Sequence, residues 1–240
     1  MHETQLPPCV FDPADPGTSD SQWRAALDDE PVLGLPPSAI VVVSPHPDDE
    51  VFGAGGLMCS AARCGRPVIV LSVTDGEAAY PDWSGLDAIR RRELTDALTV
   101  LAPNNVSLHH LSIPDGRVDE HRAVLSEALH RLTPPGSLLV SPYEGDGHPD
   151  HDATGEVCRE FGRLRNAPVW RYPIWAWHHS APEWFAGRAW GRHALDAATI
   201  GVKTRAIECF ESQLRPADRK PIVPRHILSY FIRPYEAFLL

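Results

Sequence analysis

The chain has 240 residues, 43% hydrophobic and 22% charged, with a formal net charge of -10, a balance that fits one domain with a sizeable core. The negative balance argues against nucleic acid or an anionic membrane surface as a partner. No apolar run approaches the roughly 20 residues of a membrane span, and "MHETQLPPCV" has neither the basic nor the apolar region of a secretory leader, so a cytoplasmic location is the expectation.

Residues 1–30 hold seven acids against one base, Arg24, and prolines stand at 7, 8, 13 and 16. This predicts an extended arm over residues 1–38, with a short helix near "SQWRAAL" docked through Trp23 and Leu27. A single domain over 39–240 follows. "AIVVVS" reads as a strand buried on both faces. "VFGAGGLMCSAARCG" has helical spacing and ends at Gly65, and "PVIVLSV" is a second buried strand. In "LDAIRRRELTDALTVLA", Leu86, Ile89, Leu94, Leu98 and Leu101 form an apolar helix face with the arginines opposite. "NVSLHHLSI" is strand-like, "EHRAVLSEALHRL" helical, "SLLVSP" a further strand and "HDATGEVCREFGRL" a helix. Beyond Pro168 the pattern blurs. "VWRYPIWAW" is strand-like, "IGVKTRAIECFESQL" helical, and "ILSYFIRPYEAFLL" either closes the sheet or covers an edge. The alternation predicts an α/β fold, a Rossmann-like, mainly parallel sheet with helices on both faces in three layers.

In such sheets ligands gather beyond the carboxyl ends of the strands, which places the loops 44–50, 74–85 and 142–151 at one rim. The first carries "SPHPDDE" and the third "SPYEGDGHPDHD". Consecutive acids repel one another, so Asp48, Asp49 and Glu50 make poor structural glue and imply a cation among them. His46, Asp48, Asp49, His148, Asp150 and His151 supply imidazoles and carboxylates from two convergent loops, a donor set suited to zinc. Three protein ligands would leave positions open, as in a catalytic site. Either loop alone would equally suit a helix N-terminus; the pairing at one rim favours a metal.

The pair "PHPDDEVFGAGG" and "GHPDH" resembles the PIG-L/LmbE-like family of zinc-dependent N-deacetylases. "TDGE" at 74–77, "RRRE" at 90–93, "PDG" at 114–116, "KTRAIECFESQ" at 203–213 and "YEAF" at 235–238 resemble family positions in the same order. The resemblance implies that His46, Asp49 and His151 hold Zn2+, with Fe2+ as the alternative ion. It implies that Asp48 is the general base and that His148 donates a proton to the leaving amine or steadies the oxyanion, oriented by Asp150. Arg90 and Asp115 match positions that contact sugar hydroxyls, and Glu50 is expected to shape the loop through backbone hydrogen bonds. The activity implied is removal of an N-acyl group, acetyl above all, from a GlcNAc-like amino sugar of a small molecule or glycoconjugate. The alternatives are a zinc amidase on a non-sugar or long-chain N-acyl substrate, and an idle binding protein on the same fold.

Gly53, Gly55 and Gly56 do not form G-x-G-x-x-G, and the acids before them would repel a pyrophosphate, so helix–sheet packing explains them better. Trp175, Trp177 and Trp184 read as core, with stacking on a large apolar substrate as the alternative. Asp146 reads as negative charge at the mouth of the site. The five cysteines, 9, 59, 64, 158 and 209, form no CxxC pair and read as reduced thiols. Oligomeric state is not legible.

Overall fold

The computed structural model describes residues 15–102 and 105–240. Residues 1–14, with Pro7, Pro8 and Pro13 of the expected arm, lie outside the described residues. Ser19 and Gln22 form a reciprocal capping box that opens α1 (Asp20–Leu27). Trp23 and Leu27 of this helix are buried, and Trp23 Nε1 donates to the Trp177 carbonyl at 2.6 Å.

The alternation then runs β1 (Ile40–Ser44), α2 (Asp49–Arg63), β2 (Val68–Thr74), α3 (Leu86–Leu101), β3 (Val106–Ile113), α4 (Arg122–Leu132), β4 (Leu138–Pro142), α5 (Pro149–Arg165) and β5 (Val169–Tyr172). The remainder is α6 (Ala176–His179), β6 (Trp190–Ala194), α7 (Ala197–Ile207), α8 (Glu211–Leu214), α9 (Arg225–Leu228) and β7 (Tyr235–Leu239). One seven-stranded sheet has the order β3-β2-β1-β4-β5-β7-β6, with β1 to β5 parallel and β7 antiparallel to both neighbours. Ile40 and Val42 of β1 pack into the cluster that contains α2 and α3 residues, whereas Val41 and Val43 pack with residues of α4 and α5. The strand's period of two thus feeds two apolar layers, which is why β1 is apolar without a break. The three-layer α/β expectation holds. No helix among the described residues is long and apolar enough to cross a membrane.

The structure departs from the sequence reading in the second half. The strand at 169 stops at Tyr172, and Ala176–His179 is helical, because Asp146 captures the backbone N–H groups of Ile174, Trp175 and Ala176. The helix expected over 200–214 is two pieces. Glu93 of α3 accepts from both the N–H and the hydroxyl of Ser212, at 2.7 Å each, and so fixes a fresh turn at α8. The strand β6, with Gly, Arg and His in its five residues, has no apolar alternation to announce it. The C-terminal strand neither closes the sheet nor covers its edge; β7 lies between β5 and β6.

Two packing devices fix α2, the helix that carries the acidic turn. A Cβ at Gly53 would run into the Tyr172 ring, whose hydroxyl donates to the Val43 carbonyl at 2.7 Å, so glycine lets α2 lie close to the sheet. The buried pair Lys203–Glu236 is the second. Lys203 Nζ donates to Glu236 Oε1 at 2.6 Å and to the Phe52 carbonyl at 2.7 Å. Glu236 in turn accepts the N–H groups of Gly56 and Leu57, at 2.6 and 2.8 Å. An ion pair from α7 and β7 thereby grips backbone in the middle of α2. Burial lowers the Lys203 pKa, and Glu236 opposes that shift. Removing one partner leaves the other uncompensated, so Glu236→Gln is expected to lower unfolding free energy by about 3–5 kcal/mol. Urea titration followed by circular dichroism reads this directly, and an unchanged midpoint would show that the pair is dispensable.

Candidate functional site

From the paired centre of the sheet, β2 and β3 extend to one side of β1 and β5 to the other side of β4. The gap between the carboxyl ends of β1 and β4 is therefore a topological switch point, where open α/β sheets bind ligands. The loops 45–48 and 143–148 meet there.

His46, Asp49 and His151 converge on one point. His46 Nδ1 lies 3.2 Å from His151 Nε2 and 3.3 Å from Asp49 Oδ2, and His151 Nε2 lies 3.2 Å from Asp49 Oδ2. The outer nitrogens decide the tautomers. His46 Nε2 sits between Asp115 Oδ1 at 3.1 Å and Asp150 Oδ2 at 3.2 Å, and His151 Nδ1 is 2.8 Å from Asp146 Oδ2. Protons belong on the nitrogens that face carboxylates, so neutral rings turn two lone pairs and a carboxylate oxygen toward one another. That arrangement is repulsive unless a cation or an extra proton sits inside it. Ligands about 2.0–2.2 Å from a tetrahedral ion lie about 3.3 Å apart, the edge length of this triangle. The same demand draws protons onto both rings. Burial lowers His151, but Asp49 and Asp146 outweigh it and raise it to about 9. Burial likewise opposes protonation of His46, which Asp115, Asp150 and Asp49 nevertheless hold well above the usual imidazole range. The donor set His46, His148 and His151 also gathers within 4.8 Å. The His/Asp group could hold a metal ion.

The neighbouring acids are treated differently. Asp48 has a φ of 145°, a conformation that costs an L-residue of order 1–3 kcal/mol and persists only where the surroundings enforce it. Arg90 enforces it, donating from Nη2 to the Pro47 carbonyl at 2.9 Å and to Asp48 Oδ2 at 3.0 Å, and from Nη1 to the Gly76 carbonyl at 2.9 Å. Gly76 has a φ of 67°, and a Cβ there would collide with that guanidinium. Burial raises Asp48 to about 7 against the pull of Arg90. Glu50 closes the turn: its Oε2 takes the Ser44 hydroxyl at 2.5 Å and the Asp48 N–H at 3.3 Å, and burial raises it to about 8. The expected loop-shaping role of Glu50 is what these contacts describe.

Two placements, those of Arg90 and Asp150, differ from the sequence reading. Arg90 is not a free fork for a sugar, because both terminal nitrogens are engaged; it is buried on α3, whose helical pattern put the arginines opposite the apolar face. Asp150 turns its carboxylate away from His148, onto His46 and the N–H groups of Gly116 and Val118 at 2.7 and 3.1 Å. Only its backbone N–H reaches His148, donating to Nδ1 at 3.2 Å. Asp115 does face the site, but its Oδ2 accepts the Ala78 N–H at 2.8 Å while Oδ1 meets His46. His148 is pushed down to about 3 by burial and then by His46 and His151, and because Nδ1 accepts the Asp150 N–H, the neutral ring carries its proton on Nε2.

Asp146 is the functional residue that sequence reasoning misplaced. It is fully buried, orients His151 and accepts the three N–H groups after β5. The available signal was an acid five residues before the histidine of "GHPDH". Trp177 is core, but Trp175 lines the cleft and Trp184 is 49% exposed. The cleft measures about 860 Å³, and His46, Asp48, Asp49, Arg90, Asp115 and His148 are among the residues that line it.

The family described as "PIG-L: GlcNAc-PI de-N-acetylase" matches residues 41–161. The probable N-acetyl-alpha-D-glucosaminyl L-malate deacetylase 2 of Bacillus subtilis (strain 168) is 32% identical over 131 residues, covering 49% of this chain and 58% of that protein. The diacetylchitobiose deacetylase of Thermococcus kodakarensis is 31% identical over 124 residues, covering 48% of this chain and 46% of that protein. The chain thus spans about half the length of these curated relatives. The N,N'-diacetylchitobiose deacetylase from Pyrococcus horikoshii, solved with its inhibitor MPG, shares the fold, with a TM-score of 0.57 at 23% identity over 73% of this chain and 70% of that one.

Because Asp146 fixes the tautomer and angle of His151, Asp146→Asn is expected to weaken affinity for a divalent ion by about 10- to 100-fold. Competition against a chromophoric chelator measures it; unaltered affinity would show that His151 does not need this carboxylate.

Proposed function

We propose, since this chain belongs to the PIG-L family of GlcNAc-PI de-N-acetylases, that it is a metal-dependent hydrolase removing an N-acyl group, acetyl in the first instance, from a GlcNAc-like amino sugar. The observation that carries this reading is the triangle of His46 Nδ1, His151 Nε2 and Asp49 Oδ2. Nitrogen and oxygen donors at that spacing suit Zn2+, with Fe2+ the next choice. Such an ion would polarise the amide carbonyl and lower the pKa of a water bound to it to roughly 7. The four described cysteines are free thiols, which supports a reducing, cytoplasmic setting.

The remaining roles fall to this chain's own groups. Asp48, raised to about 7 and held by Arg90, takes a proton from the attacking water as its oxygen bonds to the carbonyl carbon. The neutral His148 ring offers its Nε2–H to the carbonyl oxygen as negative charge builds there. When the C–N bond breaks, the proton on Asp48 passes to the amine. Asp150 and Asp146 act through the imidazoles they orient, and Arg90 acts through Asp48. Asp115, with carboxylate capacity left after its two contacts, is the better placed of the two expected sugar-binding residues.

The test is to incubate the zinc-loaded protein with N-acetyl amino sugars and their glycosides and to measure free amine; none from any of them would sink the reading. Elemental analysis of His46→Ala and His151→Ala should show lost metal, and full occupancy in both would overturn the ligand assignment. Asp48→Ala should keep its metal and lose at least about 10²-fold in kcat. His148→Ala should lose about 10²–10³-fold yet keep the wild-type alkaline limb of its pH profile, as expected for an oxyanion donor. Loss of that limb would return His148 to the role of general acid.

A further inference from the structure

Two segments that line the cleft come from distant parts of the chain and are joined at the solvent surface. Ala78, Ala79 and Tyr80 follow β2, and Arg219, Lys220 and Ile222 precede α9. Arg219 makes the join. Its guanidinium pairs with Asp82 and lies 5.4 Å from the centroids of both the Tyr80 and the Trp83 rings. The Tyr80 hydroxyl donates to the Lys220 carbonyl at 2.7 Å. The Asp82 side chain is 74% exposed, so water and salt compete for the ion pair.

The loop on the Tyr80 side is suited to move. Residues 77–83 form no strand and only one short 3-10 turn, Glu77–Ala79. Gly76 and Gly85, with φ of 67° and 78°, bound them, and glycine at each end can take up a change of backbone angle. The same loop reaches the site. Ala78 N–H donates to Asp115 Oδ2 at 2.8 Å and Glu77 Oε1 accepts the Asp115 N–H at 3.0 Å, while Asp115 Oδ1 faces His46 Nε2 at 3.1 Å.

We propose that this clasp is a gate: residues 77–83 swing off Arg219 and Lys220 to admit substrate, and closing returns Ala78 and Glu77 to Asp115. Closure narrows the cleft and steadies the carboxylate behind His46 in one movement. Strand pairing would make a fixed wall, whereas an exposed cation over two rings is weak enough to open and close. The inference rests on the deacylase reading only for what passes through.

The test reads access and motion. Ile174 lines the cleft, so the thiol of Ile174→Cys reports how often iodoacetamide enters. Exposed Cys64, at the far end of α2, is the reference in the same molecule, and peptide mass spectrometry reads both. Adding Arg219→Gln should speed alkylation at 174 by about tenfold relative to Cys64, the order set by an exposed ion pair and two cation–π contacts. Asp82→Asn, which keeps the cation over the rings, should speed it by about two- to fivefold. Raising NaCl from about 20 mM to about 500 mM should speed it while Arg219 is present and not in Arg219→Gln. In variants that keep Ile174, amide hydrogen exchange should accelerate in 77–84, in 216–223 and at the Asp115 amide together, and stay unchanged in β1 and β4. Equal alkylation with and without Arg219, or acceleration confined to one segment, overturns the gate. An Asp115 amide that stays protected while 77–84 opens overturns the link to the site. If Ile174→Cys does not fold, the exchange measurement decides alone. Neither readout needs product, so absence of amine release refutes the deacylase reading and leaves the gate standing.

Discussion

The rim of this protein is organised by one electrostatic constraint. Two imidazole lone pairs and a carboxylate oxygen face one another across 3.2–3.3 Å with almost no access to solvent. Nothing in the apolar core could hold such a cluster, so every group around it is arranged to tolerate or supply positive charge. The three consecutive acids show how. Asp49 is kept ionised, well below the usual carboxylate range, because His151 and His46 overcome its burial. Asp48 leans on Arg90, and Glu50 is raised to about 8, which relieves the turn of a third negative charge at neutral pH.

Precision at the rim depends on the helix behind it. The acidic turn is the start of α2, and α2 is gripped at Phe52, Gly56 and Leu57 by Lys203 and Glu236, residues distant in sequence. A buried ion pair is a poor source of net stability, since desolvation consumes much of the attraction. Its use here is positional: it ties α7 and β7 to the helix that presents Asp48 and Asp49. The same logic applies at β5, where Asp146 ends the strand by taking three N–H groups and holds His151 with the same carboxylate. Fold and site share atoms there.

The legible part of the sequence was the part governed by local period. Uninterrupted apolar strands alternating with amphipathic helices located β1 to β5 and α2 to α5, and the switch-point rule then placed His46, Asp49 and His151 at one rim. What escaped was decided over long range. Strand β6 lacks alternation and is defined by its pairing with β7. Arg90 looked like a fork for sugar hydroxyls because helical pattern cannot reveal that Gly76 leaves room for a guanidinium spent on Asp48 and two carbonyls. Asp146 looked like loose charge because its partners are backbone groups some 30 residues on. Asp150 and His148 are neighbours in sequence, yet a helix start turns the carboxylate toward the 116–118 turn instead.

The lone-pair triangle and much of the cleft lining come from different stretches of the chain. The residues that form the lone-pair triangle, Asp48 and His148 all lie within 41–161, the stretch that matches the family. Ile222, Ile227, Phe231 and the turn at 174–175, which line the cleft, lie beyond it, whereas Phe52, which lines it too, lies within. The β1 and β4 loops are fixed by a sheet core buried on both faces, so their geometry changes little without unfolding the centre. The segment 215–234 is a connection between helix and strand, with the short α9 as its regular element, that packs Val223, Ile227, Tyr230 and Phe231 into the cluster that holds Ile40 and Val42. Substitution of half-exposed Ile222 alters the cleft lining at lower cost to stability than changes under the histidines. A fold arranged this way lets the cleft lining vary beside a constant triangle.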